Sequence, residues 1–479
     1  MTDARATTDR TPVRTSGRTR LTAVIVASAF FMQNLDSTVI ATALPTMAKA
    51  FGADPVHMNV ALTSYLLSLA VFIPASGWVA DRYGARTVFR AAIAVFTLGS
   101  ILCGRAESLP FLVFARVIQG AGGAMMIPVG RLVLLRTAAK HELVAAMAWL
   151  TTPALIGPIL GPPVGGFIVT YLSWRWIFDI NIPIGLLGMV MVTLFVEDVR
   201  EPQTARFDLL GLILSAIALA SLMAGFETVG RGVVGLNVTL TLLAAGLVSG
   251  VLYWLHARRH PAPLLDFSLF KYKSFAVAIW AGSLFRIGVG AMPFLLPLML
   301  QVAFGDTAVQ SGMITFASAA GAFVMKPVAQ RVLRRFGFRD TLVCNAAIAA
   351  VMLGLCAAFR PSWPAAAMYV VLLVGGFFRS LQFTAYNTLA YAETQRAEMS
   401  AATGLYSTAQ QLSLTIGISI GAASLQLVMT LSGHASPGAG DFTFAFLVIA
   451  LLALLASPMS LRMPRAVGED MTGAKRDQR

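Results

Sequence analysis

Gly77-Trp78-Val79-Ala80-Asp81-Arg82-Tyr83-Gly84-Ala85-Arg86 interrupts two apolar runs, and Arg334-Arg335-Phe336-Gly337-Phe338-Arg339 echoes its second half between two later ones. A second echo pairs Arg116-x-x-Gln119 with Arg379-x-x-Gln382. Two echoes in matching places are what a duplicated membrane architecture leaves behind. The runs themselves fit such an architecture: hydrophobic residues make up 57% of the chain and charged ones 12%, half of the roughly 25% typical of soluble domains. A stretch of about 20 apolar residues crosses a bilayer as a helix. Fourteen such runs begin near Leu21, Val60, Val88, Leu109, Leu143, Trp176, Leu209, Leu236, Ser274, Ser311, Thr341, Pro364, Ala401 and Phe442. The echoes fall into register if the seventh and eighth runs are an inserted pair. The expected organisation is therefore all-α and membrane-embedded, with fourteen transmembrane helices: a disordered tail over 1–20, a six-helix bundle over 21–196, a linker with the inserted pair over 197–273, a second six-helix bundle over 274–462 and a tail over 463–479. After fourteen helices and short loops, 479 residues leave no room for a soluble catalytic domain.

Charge sets the expected orientation. Placing both termini in the cytoplasm puts most of the 36 Lys and Arg on that side, as the positive-inside rule requires. The net charge of +14 and pI of about 10.3 then describe basic loops facing anionic lipid, with no nucleic-acid partner. The Arg-rich stretch before Leu21 reads as a cytoplasmic tail, because the run after it is long enough to span and lacks a small-residue cleavage site. Cys103, Cys344 and Cys356 all fall within runs, so neither a disulfide framework nor a metal site is indicated. His57, His141, His256, His260 and His434 lie at run ends or in loops and read as solvated.

Four ionisable residues fall well inside apolar runs: Asp36, Arg116, Arg286 and Arg379. Such residues are rare in hydrocarbon and mark pathways. Lys326 is a fifth, near enough to a run end to snorkel. Three arginines against one aspartate leave an excess of positive charge, which favours an anionic ligand. In the fifth run, Gly157, Pro158, Gly161, Pro162, Gly165 and Gly166 allow close helix approach and bending. At the second loop, the Asp81 carboxylate suits a helix N-terminus.

These residues carry a resemblance to the major facilitator superfamily, and within it to the fourteen-span drug:proton antiporters. Gly77-x-x-x-Asp81-Arg82-x-Gly84-x-Arg86 matches its cytoplasmic loop signature, Arg116-x-x-Gln119-Gly120-x-Gly122 its fourth-span motif, and Gly157-Pro158-x-x-Gly161-Pro162-x-x-Gly165-Gly166 the fifth-span motif of its exporters. Leu35-Asp36-x-Thr38-Val39-Ile40 with Ala43-Leu44-Pro45, and Trp174-Arg175-Trp176-Ile177-Phe178 with Asn181-Ile182-Pro183-x-Gly185, are similar to signatures of the fourteen-span branch; Asp179 departs from the last of these.

The resemblance implies a central cavity lined by core helices 1, 4, 7 and 10, which carry Asp36, Arg116, Arg286 and Arg379 in turn once the inserted pair is skipped. It implies proton coupling at Asp36 and Arg116, substrate contact at Arg286, Arg379, Gln33, Asn34, Gln119, Gln382 and Asn387, and a cytoplasmic gate at Gly77, Asp81, Arg82, Gly84 and Arg86. The function expected is proton-driven efflux of small molecules, of the multidrug type, by a monomer in the bacterial inner membrane, with no cofactor and no bound metal. An anionic metabolite such as citrate or its metal chelate is the alternative cargo. A lipid-modifying enzyme would need a nucleophile, a metal or an acid/base pair that the runs do not supply, and a sensor would have no use for a charge on each of four cavity helices.

Overall fold

A computed structural model describes residues 17–52, 58–197, 206–228, 235–434, 437–465 and 467–472. Among them the chain is helical between short turns, with no strand. The principal helices are α1 (Gly17–Phe51), α2 (Val60–Tyr83), α3 (Ala85–Gly104), α4 (Leu109–Thr137), α5 (Leu143–Tyr171), α6 (Trp176–Phe195), α7 (Leu209–Thr228), α8 (Leu236–Ala257), α9 (Lys273–Ala303), α10 (Ala308–Val324), α11 (Lys326–Leu355), α12 (Ala365–Leu389), α13 (Met399–Ser432) and α14 (Ala439–Ser460). Twelve of these, among the described residues, are long and apolar enough to cross a membrane; α5 and α10, at the fifth and tenth apolar runs, stand outside that twelve.

Both copies of the loop echo fold into the same corner. Gly84 separates α2 from α3 at φ 88°, and Gly337 breaks α11 internally at φ 71°. Only glycine adopts such angles without a steric penalty, so the two glycines account for the two sharp reversals. Elsewhere proline shapes the helices: a 3-10 turn at Ile73–Ala75 contains Pro74, and a π turn at Met299–Ala303 follows Pro297. Each proline withholds one backbone donor from the helical ladder.

The helices pair in a defined pattern. α1 lies along α5, α3 along α4, and α10 along α12, while α9 packs on α13 and α14. α7 and α8 form a hairpin seated against α2 and α13. Two boundaries differ from the sequence expectation. α1 starts at Gly17, inside the stretch assigned to the N-terminal tail, because Thr19 is buried and donates to Glu142 at 2.7 Å. The stretch assigned to the C-terminal tail packs as far as Met471, which is buried, and Gly468 lies against the Phe338 ring.

Candidate functional site

Asp36 is the centre of a polar cluster with no exposed surface. Arg116 Nη1 donates to its Oδ2 at 2.6 Å, both side chains being fully buried. Its Oδ1 accepts from Gln119 Nε2 at 2.8 Å and from Asn181 Nδ2 at 3.0 Å. Ser100 accepts from the same two amides, and Arg116 Nε donates to the Ala61 carbonyl at 3.2 Å. The guanidinium also lies over the Tyr65 ring, 4.3 Å from its centroid, an attraction that strengthens when water is excluded. A buried ion pair of this kind persists only when further hydrogen bonds satisfy both partners. Arg116 Nη2 remains without one.

Small residues let the helices come close enough to build the cluster. A Cβ on Gly120 would stand 2.6 Å from Ser68 Cβ, and one on Gly122 would stand 2.4 Å from the Phe96 amide nitrogen, so the fourth-span motif presses α4 against α2 and α3. The fifth-span motif does the same for α1. A Cβ on Gly157 would meet Asn34 and one on Gly161 would meet Thr38, the residues two before and two after Asp36. Gly166 has open space around it. The side chains of Pro158 and Pro162 lie outside the described set.

The remaining residues expected at the site divide among different neighbourhoods. Gln33 is buried beside Tyr65, whereas Asn34 turns its amide back onto the Phe30 carbonyl at 2.8 Å. Arg286 donates to the Tyr406 hydroxyl and stacks over its ring at 4.7 Å; Tyr406 in turn donates to Asn387 Oδ1 at 2.8 Å. Arg379 instead reaches Ser318 at 2.9 Å. Gln382 accepts from Asn345 at 2.6 Å and donates to the Leu342 carbonyl. Arg286 and Arg379 thus have separate polar partners, and neither pairs with a carboxylate among the described residues. Lys326 does not snorkel: it is buried, with Nζ donating to the Trp149 carbonyl at 3.2 Å over the indole ring.

Three contributors escaped the sequence reading. Asn181 and Ser100 complete the Asp36 cluster, the former only as a letter in a branch signature. Arg131, inside α4 and nearly inaccessible, donates to Ser407 at 3.3 Å and Gln410 at 3.1 Å and lies over the ring of Tyr406, 5.2 Å from its centroid. Asp179, the departure from that signature, pairs with Arg105 at 3.5 Å and so joins the α3–α4 turn to α6.

The loop signature joins distant parts of the chain. Asp81 Oδ1 accepts from Arg136 at 2.6 Å, and its Oδ2 accepts from the Ser400 hydroxyl in the first turn of α13. A carboxylate there faces the positive end of a helix. Gly77 lies under the Ser400 carbonyl, where a Cβ would approach to 2.7 Å, and Arg86 donates to the Thr193 carbonyl. Just before α13, Lys271 and Tyr272 both donate to Glu398, and the Glu398 carboxylate holds Lys271 above its ordinary range.

A duplicated helical fold around a buried Asp–Arg pair, closed at one end by a loop carboxylate, defines a membrane transporter of the facilitator type. The Major Facilitator Superfamily profile matches residues 26–418 and again 278–476, and the chain belongs to that family. It is 38% identical over 439 residues, 91% of this chain and 93% of the relative, to "Putative multidrug resistance protein MdtD" of Pectobacterium atrosepticum. The protein of the same name from Serratia proteamaculans is 42% identical over 83% of each chain, and that of Escherichia coli K12 is 37% identical over 94% of this chain and 96% of its own. Among solved structures, the human organic anion transporter MFSD10 (TETRAN) superposes with a TM-score of 0.65 at 15% identity, over 92% of this chain and 99% of its own. The proton:xylose symporter XylE does so at 0.67 and 14%, over 96% and 98%. At these identities the structural likeness concerns the fold. The bacterial relatives and apolar helices together make this a multi-pass inner-membrane protein.

Proposed function

We propose that the protein is a proton-coupled antiporter that exports small molecules from the cytoplasm by alternating access, with residues 21–196 and 274–462 as two rocking six-helix bundles and α7–α8 inserted between them. Counting α5 and α10 with the twelve long apolar helices gives fourteen spans, which puts both termini on one side, and the excess of Lys and Arg makes that side the cytoplasm. The protein works as a monomer, without cofactor or catalytic chemistry.

One observation carries the reading: the Asp36 carboxylate and the Arg116 guanidinium neutralise each other with no exposed surface. A bound proton and the Arg116 contact are alternatives, since a neutral Asp36 gives up the charge that holds the guanidinium. Asp36 takes a proton while the cavity faces outward and substrate leaves; it releases the proton inward as substrate binds. The Asp81 latch, the Arg131 contacts to Ser407 and Gln410, and the Lys326 contact to Trp149 hold the cytoplasmic end shut, which corresponds to the outward-directed half of the cycle.

A second reading concerns cargo. Arg131, Arg286, Arg379 and Lys326 are each largely enclosed, and their hydrogen-bond partners are hydroxyls, an amide and a carbonyl. That balance favours an anionic metabolite, such as citrate or its metal chelate, over a cationic drug. Proteoliposomes with an internal pH dye test both points: addition of a transported compound should drive counter-movement of protons, and anions and cations can be compared side by side. Transport without proton movement would overturn the coupling, and indifference to every anion would leave the multidrug reading.

A further inference from the structure

At the mouth of the α7–α8 hairpin, Asp208, His256 and His260 bring one ligand atom each to within 4.8 Å of one another. Asp208 precedes α7, His256 is in the last turn of α8, and His260 lies just past the end of α8, where its amide donates to the His256 carbonyl at 3.0 Å and returns the chain beside it. The rings lie 5.1 Å apart, inclined at 34°. His256 Nε2 is 2.8 Å from Asp208 Oδ1. That oxygen also accepts the Gly211 amide at 2.8 Å, capping α7 as an aspartate does.

Capping and ion pairing explain one oxygen of this carboxylate and one of the histidines. They do not explain the other oxygen. Asp208 is 3% exposed, and its Oδ2 is buried with no hydrogen-bond partner. A buried carboxylate oxygen left unpaired costs free energy, and the residue that carries it is grouped with a second imidazole, that of His260. Gly211 keeps that position clear, since a Cβ there would stand 2.0 Å from Oδ2. His260 is held by the Ala262 amide, 3.3 Å from Nδ1.

We propose that Asp208, His256 and His260 bind a divalent transition-metal ion of the Zn²⁺ class. Two imidazoles and a carboxylate are a nitrogen-rich set that suits zinc and its first-row neighbours and disfavours Ca²⁺ or Mg²⁺. Three protein ligands with water in the fourth position make a tetrahedral site. With metal–ligand bonds of about 2.1 Å the ligand atoms would sit about 3.4 Å apart, so an ion would lengthen the 2.8 Å His256–Asp208 contact and draw in the rest of the group, which already lies within 4.8 Å. The ion would fasten the start of α7 to the end of α8 and to the strand of chain that leads into α9. Tyr253 already ties that segment down by exchanging hydrogen bonds with the backbone of Leu265. The two histidines, read from sequence as solvated, thus belong to a built cluster. The proposal does not depend on what the protein transports.

The test uses the full chain in detergent, with its affinity tag cleaved and metal stripped, titrated calorimetrically with Zn²⁺ and by visible absorption with Co²⁺. One equivalent should bind, with the intense bands of tetrahedral cobalt. Asp208→Asn preserves the helix cap but removes the anionic ligand, and His260→Ala removes a ligand that holds no helix in place. Each should weaken Zn²⁺ binding at least tenfold; His260→Ala should leave the unfolding temperature in chelator unchanged, while Asp208→Asn, which also alters the contact with His256, should keep a cooperative unfolding transition. Absence of saturable binding in the unsubstituted protein, or equal binding in it and both variants, would overturn the proposal.

Discussion

Ser400 in the first turn of α13 donates a hydrogen bond to the Asp81 carboxylate on α2, 319 residues earlier in the chain. The contact joins the two repeats at one end of the molecule, and Arg136 grips the other oxygen of the same carboxylate. Its charge and its place beside a helix terminus make it a latch that must break if that end opens.

Asp81→Ala should therefore slow transport without abolishing equilibrium binding of substrate. Charged hydrogen bonds are worth roughly 1.5 to 3 kcal/mol, so the ratio of closed to open molecules at this end should fall by about tenfold or more. Reactivity of a cysteine placed at Ser407 toward a membrane-impermeant thiol reagent, in inside-out vesicles, reads that population. Loss of binding with unchanged labelling would contradict the latch.

Asp36→Asn should remove proton-driven efflux and keep the fold and substrate binding. The amide preserves the shape of the carboxylate but cannot exchange a proton with the cavity. Efflux under an imposed pH gradient, measured beside equilibrium binding, separates the two effects; normal efflux would transfer the coupling elsewhere.

Arg286→Ala and Arg379→Ala should each weaken binding of an anion by about tenfold or more, on the same scale for charged hydrogen bonds. Because the two arginines have different partners, Tyr406 and Ser318, their effects should be close to additive, as for independent sites. Neutral compounds should be affected far less. If both variants treat anions and neutral compounds alike, the arginines serve packing.

Gly161→Ala should destabilise the protein and Gly166→Ala should not. The first places a methyl 2.2 Å from Thr38 Oγ1, the second places it in open space. Overpacking costs typically 1–3 kcal/mol, visible as a lower unfolding temperature in detergent. Equal behaviour of the two variants would remove the close-packing role of the fifth-span motif.

Apolar run length and the two echoes made the helices legible, because span length and a glycine-dependent corner are local properties. The Asp36–Arg116 pair was legible too: both charges are costly in hydrocarbon, and one of each sign invites pairing. What the sequence does not convey is rotation about each helix. Arg286 and Arg379 sit on helices expected to face one cavity, yet they turn toward α13 and α10. Asn181 was hidden for a similar reason, since an asparagine near the start of a span carries no periodic signal. Arg131 lies in the last two turns of α4, where a basic residue reads as an ordinary loop flank. Asp208 and His256 are 48 positions apart, and only closure of the α7–α8 hairpin makes them neighbours.

The corner at Gly84 and the corner at Gly337 share a backbone but have parted in sign. Where the first copy has Asp81, three residues ahead of its glycine, the second has Arg334, which is exposed. The bend is common to both copies and the charge ahead of it is reversed, so one corner carries an acid where the other carries a base. Exchanging the two corners would keep the bend and take the acid away from Ser400 and Arg136.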